Sequence, residues 1–296
     1  MNTQHLQYII EIERTRSISQ AAENLFLGQP NLSRILHDLE DTLGFRIFER
    51  TSRGVRPTER GAQFLQHARN VLREMEYIDA LGPRHAVPNR LRVCIPRSAK
   101  MLALTAAYIA GLDARGGLDA QVRECHARRA LEMLSAGEAE IGIIRFRSEY
   151  RDYFEEQTAQ RELSFQVLSK YKYRLLLPAD HPLAQKKTIR MEDLEGYTEI
   201  VHGDNFRVRT KQEEAERRKI HTVDRLAQVS LLETIWGAYM WSQEQPQRCL
   251  ERWKLVQKTC ENNPVTYHDA LVYNPQYVVT DIEAGFIRYV LSQMQK

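Results

Sequence analysis

Apolar positions recur at helical spacing through the first quarter of the chain and give way to strand-like runs beyond it. Residues 3–14 place Leu6, Ile9 and Ile10 at helical intervals, which predicts a first, packing helix. Residues 19–26 form a second, with Ala21, Ala22 and Leu25 on one face; adjacent alanines let another helix come close. Leu27-Gly28 reads as the turn, because glycine tolerates positive φ, and Pro30 suits the first turn of a third helix. There Leu32, Ile35, Leu36 and Leu39 spread over one side while Asn31, Ser33, Arg34 and His37 lie along the other. One side is core and the other is free to touch something. Leu43-Gly44 ends that helix as a glycine stop. Residues 45–61 then alternate apolar and polar about Ser52-Arg53-Gly54, a short hairpin with arginine at its tip.

Thr58 reads as the N-cap of a long helix through residue 81, terminated by Gly82-Pro83. Along it Phe64, Ala68, Val71, Met75 and Ile78 are spaced 4, 3, 4, 3, a heptad seam suited to a second copy of the chain. Residues 83–90, with two prolines and no periodicity, read as a hinge. Strands and helices alternate beyond it: strand 91–95, helix 99–113, strand 121–125, helix 127–136, strand 140–145. Residues 164–168 carry the chain to a second lobe, with strands at 173–177, 199–201 and 238–241 and helices near 192–194 and 225–236. Residues 268–273 return as a strand, and Thr280-x-x-Glu283 is a capping box opening a terminal helix. Alternation of this kind predicts parallel sheets with helices on their faces. The expected fold is α/β overall: a winged helix-turn-helix over 1–60, a linker and dimerisation helix over 58–82, the hinge, one lobe from 91–168 and 268–296, and a second lobe from 169–267.

The 296 residues are 43% hydrophobic and 27% charged, with a net charge of only +3, so a nucleic-acid surface has to be local. Residues 1–90 hold twelve arginines, no lysine and eleven acids; the basic character lies in placement, not bulk. Arginines 46, 50, 53, 56 and 60 face only Glu49 and Glu59 within residues 45–61. Such a cluster suits phosphate contact, and an arginine at a wing tip can enter a minor groove. Pro, Asn, Ser and Arg near the start of the third helix are groups that a recognition helix offers to base edges and phosphates.

No run of about 18 apolar residues occurs, and MNTQHLQYIIEIER has neither a basic leader nor a cleavage site. The chain is therefore expected to be cytoplasmic, with no membrane partner. Cys94, Cys125, Cys249 and Cys260 form no CxxC pair and no zinc spacing, so no metal and no cofactor is expected. Free thiols in a reducing cytosol are the expectation; a redox pair of Cys249 with Cys260 is the alternative. Gly-x-Ser-x-Gly, phosphate-loop and His-Glu-x-x-His patterns are missing, which argues against an enzyme.

Residues 1 to about 65 resemble the DNA-binding domain of the LysR-type transcriptional regulators. The likeness rests on Ser-x-x-x-Ala-Ala (Ser17, Ala21, Ala22), Gln-Pro-x-Leu-Ser-Arg (Gln29, Pro30, Leu32, Ser33, Arg34), Leu-Glu-x-x-Leu-Gly-x-x-x-Phe-x-Arg (Leu39 to Arg50) and Thr-x-x-Gly (Thr58, Gly61). Gly28 departs from the serine or threonine usual at its position. The resemblance continues more weakly to the C-terminus, where two α/β lobes look like the family's periplasmic-binding-protein-like effector domain and Asp-His-Pro-Leu-Ala at 180–184 is a hallmark. The family's Gly-x-Gly before a second-lobe strand is reduced here to Gly237, behind Ile235 and Trp236. The resemblance implies a small-molecule effector, a homodimer or homotetramer, RNA polymerase as a partner, and operator DNA with two half-sites about one helical turn, or its multiples, apart.

DNA contact is accordingly expected from Ser17, Ser19, Gln29, Pro30, Asn31, Ser33, Arg34, His37, Arg50, Arg53 and Arg56. Dimer contact is expected from Phe64, Ala68, Val71, Met75 and Ile78. In open α/β sheets ligands bind beyond the carboxyl ends of the strands. That places an effector site at Arg97, Ser98 and Ala99, at His126, at Arg145 and Phe146, and at His202 and Gly203, with Trp236 and Tyr239 as an aromatic wall. A helix N-terminus behind Ser98 favours an anion, and Arg97 with Arg145 would add charge-assisted hydrogen bonds, so a small carboxylate is the expected effector. Two other readings stay open: a redox-responsive regulator of the same type, and a cytoplasmic ligand-binding protein or enzyme with a vestigial DNA reader.

Overall fold

A computed structural model describes residues 2–52, 54–80, 90–112, 117–202, 218–275 and 280–294. The predicted hinge, the wing-tip Arg53 and Gly203 lie outside the described residues, except for Arg90, which opens a strand.

The N-terminal unit comprises α1 (Thr3–Thr15), α2 (Ile18–Asn24), α3 (Gln29–Leu43), β1 (Phe48–Thr51), β2 (Gly54–Pro57) and α4 (Glu59–Ala80). The Ser17 side chain accepts the Gln20 N–H to cap α2, and Thr58 Oγ1 accepts the Gly61 N–H to cap α4. Ile9, Ile12, Ala21, Ala22, Leu32, Leu36, Leu39, Ile47 and Leu65 form one buried core. The turn between α2 and α3 differs from expectation. Gly28 has φ −69° and simply precedes Pro30-bearing α3, while the left-handed residue is Phe26, at φ 55°. The reversal is completed before the glycine, by the Leu27 N–H bonding back to the Ala22 carbonyl. Gly44 does end α3 at φ 72°.

Gly61 has a reason the pattern alone did not give. A Cβ there would stand 1.9 Å from the Ile47 carbonyl oxygen, so only glycine lets α4 cross the chain entering the hairpin. Glu40 joins the same parts from the other side. Although only 4% exposed, it accepts from the Ile47 N–H (2.7 Å) and the Phe48 N–H (3.1 Å) through Oε1, and from Arg46 through Oε2 (2.9 Å). Recognition helix and wing are thereby tied by one carboxylate.

The predicted seam on α4 divides in two. Ala68 is buried at 3% and Phe64 packs on the domain core, so these two serve their own chain. Val71, Met75 and Ile78 stand exposed, Ile78 at 64%. The correction is physical: the first turns of α4 also close the winged helix, and only the turns beyond them are open.

The C-terminal part is two five-stranded sheets. The first is built from β3 (Arg90–Ile95), β4 (Asp119–Glu124), β5 (Ile141–Arg147), β6 (Gln166–Lys172) and β12 (Thr266–Tyr273), in the order β4-β3-β5-β12-β6. The second holds β7 (Arg174–Pro178), β8 (Thr198–His202), β9 (Lys219–Thr222), β10 (Ala238–Ser242) and β11 (Leu255–Lys258), in the order β11-β7-β10-β8-β9. Helices α5 (Ala99–Ala110), α6 (Ala127–Ser135), α7 (Arg151–Ala159) and α10 (Asp281–Met294) cover the first sheet; α8 (Arg225–Thr234) and α9 (Gln247–Arg252) pack on the second. Both sheets are mixed, not parallel: β12 runs antiparallel to β5 and β6, and β7 antiparallel to β10 and β11. These strands cross between lobes and so enter their sheets without the helical crossover that enforces parallel pairing.

Strand alternation sends Cys94, Ile144, Phe146, Ala270 and Val272 to the α6 face and Leu91, Val93, Ile95, Ile141, Ile143 and Leu271 to the α5/α10 face. Thr280 and Glu283 form the expected reciprocal cap of α10, at 2.8 and 3.2 Å. In the Asp-His-Pro-Leu-Ala segment, His181 Nδ1 accepts the Leu183 N–H and the ring packs against Tyr197 with centroids 4.8 Å apart. Burial holds this imidazole below its usual pKa, so it stays neutral as a turn-forming wedge.

Candidate DNA-reading face and interlobe cleft

The exposed side of α3 is pre-ordered. Gln29 Nε2 donates to Ser33 Oγ at 2.9 Å, Arg34 donates to Asn31 Oδ1 at 3.1 Å, and His37 pairs with Asp41 at 2.8 Å. These i,i+3 and i,i+4 contacts hold the predicted readers in register along one stripe, with Pro30 and Ser19 also exposed and Ser17 half-buried beneath its cap. The wing arginines are not equivalent. Arg46 is tied to Glu40, Arg56 to Glu49 at 2.6 Å, and Arg60 lies over the Phe45 ring. Arg50 is exposed on β1 and has no partner among the described residues.

Between the two sheets lies a cavity of about 810 Å³. Arg97, Ser98, Ala99, His126, Arg145, Phe146 and His202 line it, as the strand-end argument expects. Trp236 does not: it stands 80% exposed. Tyr239 does not either, being fully buried among Leu175, Leu177 and Leu183. Their place in the wall is taken by Trp241, Trp253, Tyr173 and Tyr267. Strand alternation accounts for Tyr239, which points to the face of the second sheet opposite Met240, a residue that does line the cavity; Trp241 shares the Tyr239 face and touches the cavity near the end of β10.

Arg145 has a different occupation from the expected anion clamp. Its Nε and Nη2 bind both oxygens of Asp269, at 2.7 and 2.9 Å, directly across the β5–β12 ladder. Nη2 also reaches Gln243 Oε1 at 2.8 Å, and the guanidinium lies over the Tyr171 ring. Burial alone would lower its pKa, but the Tyr173, Asp269 and Tyr171 oxygens hold it well above the usual value. Burial, reinforced by Asp269, pushes the Tyr171 hydroxyl up, so it keeps its proton and donates it to Asp269 Oδ1 at 2.9 Å. Ser98 is likewise engaged: it caps α5 at Met101 and donates to Gln243 Oε1 at 2.6 Å. His126 Nδ1 caps α6, and Phe146 is mostly core, stacked on His268.

Sequence reasoning missed Gln243, the residue on which both lobes meet, together with Asp269. It also missed the latch at the rim, where Arg225 of α8 binds Glu124 of β4 at 2.5 Å. Asp269 carried a signal, since a charge inside the apolar strand TYHDALVY needs a partner; Gln243 carried none. Cys249 lines the cleft from α9, whereas Cys260 is buried in the core on the opposite face of the second sheet, so the fold does not bring that pair together. Among the described residues, no group of three or more His, Cys, Asp or Glu is placed to hold a metal ion, and no helix is long and apolar enough to cross a membrane.

A winged helix-turn-helix on a long helix, followed by two α/β lobes closing on a cleft, defines a helix-turn-helix protein with a ligand-binding type of second domain. Residues 3–62 match the family described as bacterial regulatory helix-turn-helix protein, lysR family, and residues 85–241 match the LysR substrate binding domain. The chain belongs to the LysR family. It is 27% identical over 207 residues to a hydrogen peroxide-inducible genes activator from Pectobacterium carotovorum subsp. carotovorum, a match covering 66% of this chain and 62% of that protein. It is 26% identical over 215 residues to the HTH-type transcriptional regulator CysB of Burkholderia cenocepacia, covering 71% of this chain and 66% of that one. The fold is shared with ArgP from Mycobacterium tuberculosis (16% identity, TM-score 0.68, 98% and 96% of the two chains). It is also shared with full-length LysG from Corynebacterium glutamicum, solved with bound effector Arg (14% identity, TM-score 0.65, 100% and 98%).

Proposed function

We propose that this chain is a sequence-specific DNA-binding transcriptional regulator controlled by a small molecule held between its two α/β lobes. The observation that carries this reading is the exposed stripe of α3, with Gln29–Ser33 and Asn31–Arg34 ordered beside a wing whose Arg50 is unpaired among the described residues. Base readers and a phosphate contact then sit on one surface. Arg50→Ala is expected to lower the slope of log affinity against log salt by about 0.9, the signature of one lost phosphate contact. Ser33→Ala is expected to change sequence preference and leave that slope in place. Binding titrations on matched and scrambled duplexes at several salt concentrations decide it; an unchanged slope and affinity for Arg50→Ala mean the wing does not touch DNA.

Two readers are proposed to be joined through the exposed part of the α4 seam. Ile78→Lys, which places a charge where about 1.5–3 kcal/mol of aliphatic burial per copy is expected, should dissociate the oligomer in sedimentation velocity. An unchanged sedimentation coefficient would remove α4 from the interface. The effector is proposed to be a small carboxylate, but Arg145 is already saturated by Asp269. The anion then falls to the α5 N-terminus beside Arg97, with Trp241 and Tyr173 as aromatic walls. Ligand would favour one lobe arrangement in proportion to its differential affinity, and the Glu124–Arg225 latch and the Gln243 node are the contacts such a change would remake. RNA polymerase is the proposed downstream partner.

A further inference from the structure

The cavity between the lobes changes character from one side to the other. Its first-lobe side carries Arg97, Ser98 and His126. Beneath α8 and α9 it is walled by Leu176, Ile200, Met240, Leu250, Trp253 and Leu255, which form one apolar cluster with Leu232 of α8. Gln228 brings a polar group into this part. It is 5% exposed, lines the cavity, and its Nε2 has no hydrogen-bond partner among the described residues. Leu232, four residues on and therefore on the same face of α8, is buried in the cluster, so the Gln228 amide is aimed at the second sheet and not at solvent.

A buried amide without a partner costs free energy, and folds rarely leave one in place without a use. An ordered water would need about two to four polar partners, and the side chains of the six wall residues offer none. A hydrogen-bonding group on a ligand, carried in on an apolar body, meets both conditions at once. Space is sufficient: about 810 Å³ lies in the upper part of the range of sites that enclose ligands of drug size, well beyond what an acid of a few carbons fills.

We propose that the effector is an amphipathic hydroxy acid of medium length, with its carboxylate at the α5 N-terminus, its aliphatic chain beneath α8, and a chain hydroxyl on the Gln228 amide. This rests on the reading of the cleft as the effector site, and it gives that site a second, apolar half. The wall is mostly aliphatic, and the unbranched, polarizable side chain of Met240 adapts to a flexible chain. A hydroxyl suits the amide because it serves either end of it, accepting from the nitrogen or donating to the oxygen. Gln228 also lies one turn from Arg225, which binds Glu124 of the first lobe. A chain seated beneath α8 therefore touches the helix that latches the two lobes together.

The test is isothermal titration of the full-length protein with straight-chain carboxylates from propionate to decanoate and with the monohydroxy decanoates. Affinity is expected to rise about fourfold for each methylene that enters the apolar part. The best positional isomer of hydroxydecanoate should bind about two- to tenfold more tightly than decanoate, the worth of one neutral hydrogen bond. Gln228→Leu and Gln228→Met remove the unpaired donor, so both variants should bind decanoate at least as tightly as the unaltered chain and lose the preference for the hydroxyl. Melting curves followed by tryptophan fluorescence show that each variant is folded. A hydroxyl preference that persists in the folded variants, or is missing from the unaltered chain, overturns the proposal. Affinity that stays flat from propionate to decanoate overturns it too, while leaving the cleft as a carboxylate site; no binding by any member of the series overturns both.

Discussion

Replacing Asp269 with leucine is expected to destabilise the two-lobed domain by about 3–5 kcal/mol, the largest single effect in the chain. Asp269 is wholly buried and accepts from two of the three Arg145 guanidinium nitrogens, while Arg145 is only 9% exposed. Removing one member of such a pair leaves a charge with no counter-charge in the interior. The loss should propagate, because Arg145 also holds Gln243 and Tyr171 also leans on Asp269. All three tryptophans, Trp236, Trp241 and Trp253, lie in the second half of the chain, so urea unfolding followed by their fluorescence reports on this domain. The double variant Arg145→Met with Asp269→Leu should recover much of the loss, since exchanging both partners for apolar groups avoids the stranded charge. A single-variant loss below about 1 kcal/mol would mean the pair is not what joins β5 to β12.

Glu40→Ala is the second large effect, expected at about 2–4 kcal/mol and confined to the N-terminal unit. It strands the Ile47 and Phe48 N–H groups, each costing about 1–3 kcal/mol when buried without a partner. It also frees Arg46, which is largely exposed and adds little. With the hairpin released from the end of α3, DNA affinity should fall on every sequence alike. Circular dichroism melts should show an earlier first transition while the tryptophan transition stays in place. Glu40→Gln, which keeps one acceptor oxygen, should lose less; equal losses for both would point to the charge and not to the two backbone contacts.

These two residues also mark where the sequence was and was not legible. Glu40 sits inside a motif that named the family, yet its spacing says nothing of why a carboxylate should be 4% exposed; the answer is two N–H groups seven and eight residues later. The helices of the reader were legible because their apolar stripes are strong and their stops are glycine and proline. The turn was misassigned to Gly28 because local propensity favours glycine, whereas the backbone placed the left-handed residue at Phe26. In the second domain, strands 91–95, 140–145 and 268–273 were visible as apolar runs. α7, α9, β9 and β11 were not, being short and mostly polar on their outer sides. The cleft was found at the strand ends, where topology alone puts it. Its wall was only partly right: Tyr239 and Trp241 share one face of β10, and only Trp241, nearer the end of the strand, touches the cavity, a difference in position along the strand that residue type does not reveal.

The most direct test of the account is capture of genomic DNA fragments by the purified full-length protein, with footprinting of the best fragment at two salt concentrations. The account predicts a protected, imperfectly two-fold site with half-sites about one helical turn, or a multiple of it, apart, and a protection pattern that Ser33→Ala alters. Protection that is indifferent to sequence, and that disappears uniformly as salt rises, would contradict it.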